Sequence, residues 1–289
     1  MSRIVVTGAS GFLGRYTCAD LTAAGHDVVA VGRGPNGDLV ELETRRADGI
    51  FDEVDAVVHL AGALAKGHGT PVSDYLAANV QLPESVLLRC VAGGATKFVF
   101  SSSRLVYRSD LGRPATEADA PQPETAYGLS KLFAERVIEH QTKLNGIRST
   151  SLRISQLVGA GDGDRGVLAS FARAAAARQP LQVGGSGAAT RDFLDVRDAA
   201  RAIRLSLDAM SVGHPPSALN VGGGGRTILE LAQIACESFG MPETLIEHVP
   251  TDVEDTSHWS LDSTLARNTI GWQPQATLVE ALRHRWAVQ

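Results

Sequence analysis

"TGASGFLG", residues 7–14, sets three glycines at spacing three between an apolar triplet, Ile4-Val5-Val6, and a segment with helical character. Glycine costs backbone entropy, so a cluster of it marks a place where something must come close to the main chain. A strand that leaves through such a turn into a helix can seat a diphosphate. Gly8 can take the tight turn, Gly11 lets the backbone approach the diphosphate, and Gly14 lets helix and strand pack closely. The diphosphate then rests on free N–H groups at the positive end of the helix. The spacing is G-x-x-G-x-x-G rather than G-x-G-x-x-G, and a plain strand-to-helix turn is the competing reading.

Outward from that turn, the chain alternates short β-branched runs with longer helical patterns. "RIVV" (3–6), "DVVAV" (27–31), "AVVHL" (56–60), "KFVFS" (97–101), "TSLRI" (150–154) and "ALNVG" (218–222) read as buried parallel strands. Helices are predicted near 12–24, 75–92 and 128–145. This rhythm predicts an α/β fold, a Rossmann-type doubly wound parallel sheet. Beyond about residue 156 the rhythm breaks. Helical stretches near 165–177, 196–209, 227–239 and 277–286 alternate with loops such as "VGGSGAATRD" and "GHPPSA". We expect a dinucleotide-binding domain over 1–156, with 191–224 returning to it. A smaller substrate lobe is expected from 157–190 and 225–289.

Composition narrows the function. The 289 residues are 44% hydrophobic and 20% charged, which is ordinary for a globular protein. A net charge of −5 argues against a general nucleic-acid binder. Cys18, Cys90 and Cys236 are odd in number and far apart. They form no metal-ligand pattern or disulfide framework and fit a reducing compartment. "RIVV" at residue 3 leaves no room for a signal peptide, and no apolar run is long enough to span a bilayer. The expectation is a cytoplasmic protein with no membrane or nucleic-acid partner and no metal.

The second predicted strand bears on the dinucleotide. An acidic residue at its end would accept from both adenosine ribose hydroxyls and select NAD. Here "VVAVGRG" puts Gly32 at that place, followed by Arg33. An arginine fork can pair with a 2′-phosphate, which favours NADP over NAD; Arg33 as a solvated loop residue is the alternative. Asp48 can accept from the adenine amino group or serve as a loop aspartate. Ala61 and Gly62, after the strand "VVHL", leave room for a cofactor to lie across the strand end. His59, inside that apolar run, reads as a buried, hydrogen-bonded histidine rather than a catalytic one.

Catalytic chemistry is suggested by "FSSSRLVY" and "YGLSK". Tyr127 and Lys131 are four residues apart at the start of a helical pattern, so they share one face. An ammonium beside a phenol favours phenolate and would draw its pKa of ~10 toward neutrality. Tyr127 then becomes a usable general acid and base, while Lys131 can also hold the nicotinamide ribose. The serine cluster ends the preceding strand, where open α/β sheets place their ligands.

The chain resembles the extended short-chain dehydrogenase/reductase superfamily, in its NAD(P)-dependent epimerase/dehydratase group, many of whose members act on nucleotide sugars. The resemblance covers nearly the whole length and rests on "TGASGFLG", "VVHLAG", "FVFSSSRLVY", "YGLSKLFAE", "LRISQLVGAG", "TRDFLDVRDAARAI", "LNVGGGGRTILELA" and "DSTLARNTIGWQP". It implies a catalytic set of Ser103, Tyr127 and Lys131. For the cofactor it implies Gly8, Ser10, Gly11, Phe12, Leu13 and Gly14 in the turn and Arg33, Asp48 and Gly49 around the adenosine. Leu60, Ala61, Gly62, Asn79, Ser101 and Ile154 join Tyr127 and Lys131 further along. On the substrate side it implies Lys66, Ser103, Arg104, Gln156 and Arg191, the last where related enzymes hold a nucleotide diphosphate. It further implies a homodimer through the helices near 75–92 and 128–145.

Departures from the group matter as much. Dehydratases carry an Asp-Glu pair in the serine segment; Ser103 and Arg104 stand there, which argues against dehydration. The stretch "VPTDVEDTSHW" (249–259) is acidic where sugar-nucleotide epimerases often have basic residues. Two reactions therefore stay open, a sugar epimerase and a 4-ketoreductase of a sugar or nucleotide sugar. Reduction of a non-nucleotide carbonyl and a non-catalytic NADP sensor are the alternatives.

Overall fold

The computed structural model describes residues 1–32, 49–67, 69–162 and 166–286. The first half alternates strand and helix: β1 (Arg3–Thr7), α1 (Phe12–Ala23), β2 (Asp27–Val31), β3 (Ala56–His59), then α2 (Ser73–Leu76) and α3 (Leu82–Ala92). α2 and α3 are joined by a π-helical turn over Ala77–Gln81, so the helix predicted near 75–92 contains a local widening. β4 (Lys97–Ser103), α4 (Ala126–Asn145), β5 (Arg148–Ile154) and β6 (Gln156–Val158) follow. The second half holds α5 (Val167–Ala176), β7 (Leu181–Gly184), β8 (Thr190–Asp195), α6 (Val196–Val212) and β9 (Ala218–Val221). It continues with β10 (Gly225–Thr227), α7 (Ile228–Phe239), β11 (Ile246–Val249), α8 (Thr264–Ile270) and α9 (Leu278–Trp286).

Six strands form one parallel sheet in the order β2-β1-β3-β4-β5-β9. Their apolar runs are continuous because both faces are covered by helices. Alternation sorts the side chains. Ile4 and Val6 join Leu21, Ile203, Leu207 and Trp272 on the α1/α6 face. Val5 joins Val57, Leu87, Phe98, Phe100 and Ile138 on the α3/α4 face. The strand order reverses beside β1, which has β2 on one side and β3 on the other. Ligands of open α/β sheets bind at that switch point, beyond the carboxyl ends of the strands.

A second hydrophobic core gathers Phe171, Leu181, Val183, Phe193, Leu231 and Leu282 from α5, β7, β8, α7 and α9. Its strands form a three-stranded sheet, β10-β8-β6, and a pair, β11-β7. Between 191 and 224 the chain divides: β8 belongs to the small sheet, while β9 pairs with β5 at the edge of the main one. Among the described residues no helix is long and apolar enough to cross a membrane.

Candidate active site

The glycine turn is shaped by close approach. Gly8 has φ +71°, a conformation that side chains disfavour. A Cβ there would lie 2.7 Å from the Ala61 nitrogen, so the first turn presses directly on the end of β3. At Gly14 a Cβ would come within 2.1 Å of the Gly8 carbonyl oxygen, because α1 crosses tight against the turn. Gly11 differs. It is exposed, and a Cβ there would meet only the Gly8 oxygen, at 3.1 Å. Gly11 is also the N-cap of α1, with no side-chain cap and no acidic residue in the first turn. No side chain caps the first N–H groups of α1, and the turn is open on the outer side of Gly11. Ser10 is exposed; Phe12 and Leu13 are half-buried at the start of α1.

Neighbouring strand ends complete the cradle. A Cβ on Gly32 would lie 3.0 Å from Ser10 Oγ, so β2 ends against the same turn. Arg33 and Asp48 lie outside the described residues. Gly49 is a turn residue with φ +95°. Leu60, Ala61 and Gly62 lead away from β3, half-buried to exposed. Beneath them His59 is fully buried; its Nδ1 shares a 2.9 Å hydrogen bond with Thr7 Oγ1. Burial pushes its pKa down to about 3, so it is a neutral core histidine.

Asn79 stands on the π-helical turn, fully buried. Its Oδ1 accepts from the Ala63 nitrogen at 2.7 Å, and its Nδ2 donates to Ser130 Oγ at 3.0 Å. The widened turn thus fastens the loop after β3 to α4 one residue before Lys131, the kind of local irregularity that recurs at functional sites.

At the end of β4 the three serines separate in role. The Ser101 carbonyl accepts from Lys131 Nζ at 2.9 Å. Ser102 Oγ donates to Glu135 at 2.5 Å. Ser103 Oγ caps the following 3-10 turn, accepting from the Leu105 nitrogen at 3.2 Å, and hydrogen-bonds Tyr127. Tyr127 is the second residue of α4, which starts at an N-cap where Thr125 accepts from Gly128. Its ring meets Tyr75 edge-on at 5.8 Å, and Lys131 Nζ lies 5.9 Å from its centroid. Lys131 is buried, and a Cβ on Gly62 would lie 3.7 Å from its ammonium. Ser103, Tyr127, Lys131, Ser101, Gly62 and Asn79 are therefore one cluster.

One electrostatic expectation is corrected. Burial pushes the Tyr127 phenol up to about 12, against a weaker opposing effect of the Ser103 hydrogen bond. Burial also pushes Lys131 down to about 8, against the pull of Glu135. Desolvation of the phenolate is the largest effect on Tyr127, so the phenol is not drawn toward neutrality.

The substrate-side candidates are dispersed. Ile154 is buried at the end of β5, and Gln156 is half-buried, with its Nε2 beside Gly166. Lys66 is exposed at the rim, 3.7 Å from Asp74 and over the Tyr75 ring. Arg191 is held by Asp255 at 2.7 Å and Ser257 at 2.9 Å. Arg104 stacks 5.1 Å from the Trp259 ring, and its Nη1 is buried with no hydrogen-bond partner.

Sequence reasoning missed the polar chain behind the site. Glu135 and Arg153, both buried, pair at 2.7 Å. Arg153 donates to Tyr107 at 2.6 Å, and Tyr107 donates to Asn220 at 3.0 Å. An arginine inside the buried strand "TSLRI", and a glutamate one turn after Lys131, were the available signals. Tyr75 and Trp259 carried none.

A doubly wound sheet with a glycine cradle at its switch point, and a Ser/Tyr/Lys cluster beside it, defines a dinucleotide-dependent enzyme. A family model described as the NAD dependent epimerase/dehydratase family matches residues 4–222, and the chain belongs to that family. The dTDP-6-deoxy-L-talose 4-dehydrogenase (NAD(P)(+)) of Kitasatospora kifunensis is 31% identical over 100% of this chain and 96% of its own length. The UDP-glucose 4-epimerase of Erwinia amylovora is 28% identical, covering 98% of this chain and 96% of the relative. Among solved structures, MoeE5 in complex with UDP-glucuronic acid and NAD superposes with a TM-score of 0.82 at 28% identity, over 98% of this chain and 97% of that one. The UDP-glucose-4-epimerase of Stenotrophomonas maltophila, with bound NAD and formylated UDP-arabinopyranose, gives a TM-score of 0.86 at 25% identity, over 99% and 97%. The chain is an NAD(P)-dependent enzyme of the epimerase and oxidoreductase type.

Proposed function

We propose that the enzyme moves a hydride reversibly at C4 of a nucleotide sugar, as a 4-epimerase or a 4-ketoreductase. The observation that carries this is the convergence of Ser103, Tyr127 and Lys131 beside Gly62 and the glycine cradle. The cradle from Gly8 to Gly14 would hold the diphosphate of the dinucleotide, Gly62 and Asn79 would flank its inner half, and Lys131 would hold the nicotinamide ribose. When bound, the nicotinamide supplies the hydride acceptor and donor. Ser103 holds the reacting oxygen in line, and Tyr127 exchanges a proton with it. With its pKa near 12, Tyr127 stands protonated at neutral pH and is ready to give a proton to a carbonyl oxygen. Taking a proton from an alcohol needs the phenolate, which the Ser103 hydrogen bond favours. An epimerase must use both directions in turn, whereas a reductase needs only the first.

A glycine and an arginine at the end of the second strand, with no carboxylate, favour NADP over NAD. Leu88 on α3 and Phe133 and Leu144 on α4 are exposed, at 44%, 44% and 67%, and would form the dimer face. The core built on α5, α7 and α9 would be the substrate lobe. Three free cysteines suit a reducing compartment, the cytoplasm. A second reading, reduction of a non-nucleotide carbonyl, is favoured by one observation: Asp255 already occupies the guanidinium of Arg191. The test is mass spectrometry of the dinucleotide retained on purification, followed by incubation with UDP- and dTDP-sugars and NAD(P)H. Retained dinucleotide with sugar inversion marks the epimerase; cofactor exchange with consumption of a 4-keto sugar marks the reductase. Turnover only of free carbonyl compounds would select the second reading.

A further inference from the structure

The three serines that end β4 meet α4 one helical turn at a time. Ser103 hydrogen-bonds Tyr127, the Ser101 carbonyl accepts from Lys131 Nζ at 2.9 Å, and Ser102 Oγ donates to Glu135 at 2.5 Å. Tyr127, Lys131 and Glu135 are four residues apart and form one stripe on the helix. The first two belong to the catalytic cluster. The third is buried behind it, and both of its oxygens are taken. Oε1 accepts from Ser102 and from Arg153 Nε at 3.1 Å, and Oε2 accepts from Arg153 Nη2 at 2.7 Å. Arg153 stands on β5, so Glu135 ties α4 to two adjacent strands of the main sheet.

Lys131 needs such a neighbour. Its ammonium is buried, 4.8 Å from the Phe100 ring centroid, and burial pushes its pKa down to about 8 against the pull of Glu135. The other titratable groups around it bring no negative charge. His59 on β3 is held neutral at about 3, and Tyr127, edge-on to Tyr75 of α2, stays a phenol at about 12. Arg153 is spent on Glu135, Arg104 on the 3-10 turn faces Trp259, and Lys66 pairs with Asp74 at the rim. An ammonium carries three N–H donors, a neutral amine one fewer. With one donor given to Ser101, the ammonium keeps two for the two hydroxyls of a ribose, whereas the amine keeps one. We propose that Glu135 is a positioning residue of the hydride-transfer site: clamped to Ser102 and Arg153, it fixes α4 in register with the serine strand and keeps Lys131 an ammonium that can fork onto the nicotinamide ribose. The proposal rests on the reading of Lys131 as the holder of that ribose.

The test is calorimetric titration with NADH and NADPH between about pH 6.5 and pH 9, with Lys131→Met as the baseline for protons taken up by the dinucleotide itself. Wild-type affinity should fall as pH rises through about 8, where Lys131 gives up its proton. Glu135→Gln should bring that fall about one pH unit lower, the effect of losing a nearby opposite charge, and so weaken binding about fivefold at pH 8. Arg153→Met breaks the same ion pair but leaves the carboxylate, so its fall should stay at the wild-type pH or above it. Glu135→Gln combined with Arg153→Met removes both buried charges, guards against a folding failure and should keep the lowered fall. A fall at the wild-type pH in either folded variant that lacks Glu135, or an equal downward shift in Arg153→Met, overturns the positioning role and leaves the site reading standing. A wild-type affinity that is level across the range, a fall that persists in Lys131→Met, or binding of neither dinucleotide overturns Lys131 as the ribose holder, and the role of Glu135 with it.

Discussion

The two glycines Gly11 and Gly14 are three residues apart and should fail in different ways. At Gly14 an added Cβ would stand 2.1 Å from the Gly8 oxygen and 2.7 Å from Ala9 Cα, all backbone that cannot rotate away. Ordinary contact begins near 3.4 Å, so α1 must retreat by about 1 Å or the turn must open. Overpacking of this kind costs about 1–3 kcal/mol, offset by the ~1 kcal/mol that alanine gains over glycine within a helix. With only 2.1 Å to rigid backbone the overpacking falls at the upper end, about 2–3 kcal/mol, so Gly14→Ala should lose about 1–2 kcal/mol net and roughly 2–8 °C of melting temperature. Gly11 has an extended backbone, φ −73° and ψ 173°, and its outer side is open. Gly11→Val should cost the fold no more than ~1 kcal/mol, a capping effect. Its branched side chain would stand where the diphosphate must meet the helix N-terminus, and dinucleotide binding should be lost. The assay is a thermal melt and a calorimetric dinucleotide titration on each variant. Wild-type affinity in a folded Gly11→Val would refute the placement of the diphosphate. An unchanged melt in Gly14→Ala would refute the packing argument.

Three further outcomes follow from the buried charges and the second strand. Arg153→Ala leaves Glu135 buried without its partner and should cost about 3–5 kcal/mol in a denaturant melt, while Arg153→Met with Glu135→Leu should recover much of it; equal loss in both would argue against an ion-pair origin. His59 is held neutral at about 3 from an unfolded value of 6.5, so it binds fewer protons folded than unfolded, and its stability contribution is complete above pH 6.5 and lost as pH falls toward 3, by up to ~1.4 kcal/mol per unit. His59→Gln should flatten that part of the stability profile, and an unchanged slope would assign it elsewhere. Arg33→Ala should weaken NADP by about 1.5–3 kcal/mol and spare NAD; equal wild-type affinity for both dinucleotides removes the basis for NADP preference.

Much of this molecule is legible in the chain because parallel strands buried on both faces leave long apolar signatures. All six predicted strands are found, within a residue or two, from "RIVV" to "ALNVG". The small strands β6, β7, β8, β10 and β11 span three to six residues and left no comparable pattern. "VGGSGAATRD" read as a loop, yet its ends lie in β7 and β8, since glycine hides a short strand. The π-helical turn is invisible to a periodicity of 3.6 residues, and so is the staple that Asn79 makes from it. At the site, spacing found Tyr127 and Lys131 because one helical turn links them. The sign of the Tyr127 shift was not legible, since it depends on burial, which helical spacing does not show. The engagement of Arg191 by Asp255 joins residues 64 apart, which spacing cannot show.

The central claim is that Tyr127 passes the proton as hydride moves. Tyr127→Phe keeps the ring against Tyr75 and removes the hydroxyl, so folding and dinucleotide affinity should stay at wild-type levels. The decisive measurement is turnover of that variant on a sugar nucleotide the wild type accepts, with melting temperature and cofactor affinity recorded on the same sample. A fall of about 10²–10⁴-fold, at unchanged stability and affinity, is the predicted result. Turnover within about threefold of wild type would contradict it, because no positioned acid or base is worth so little.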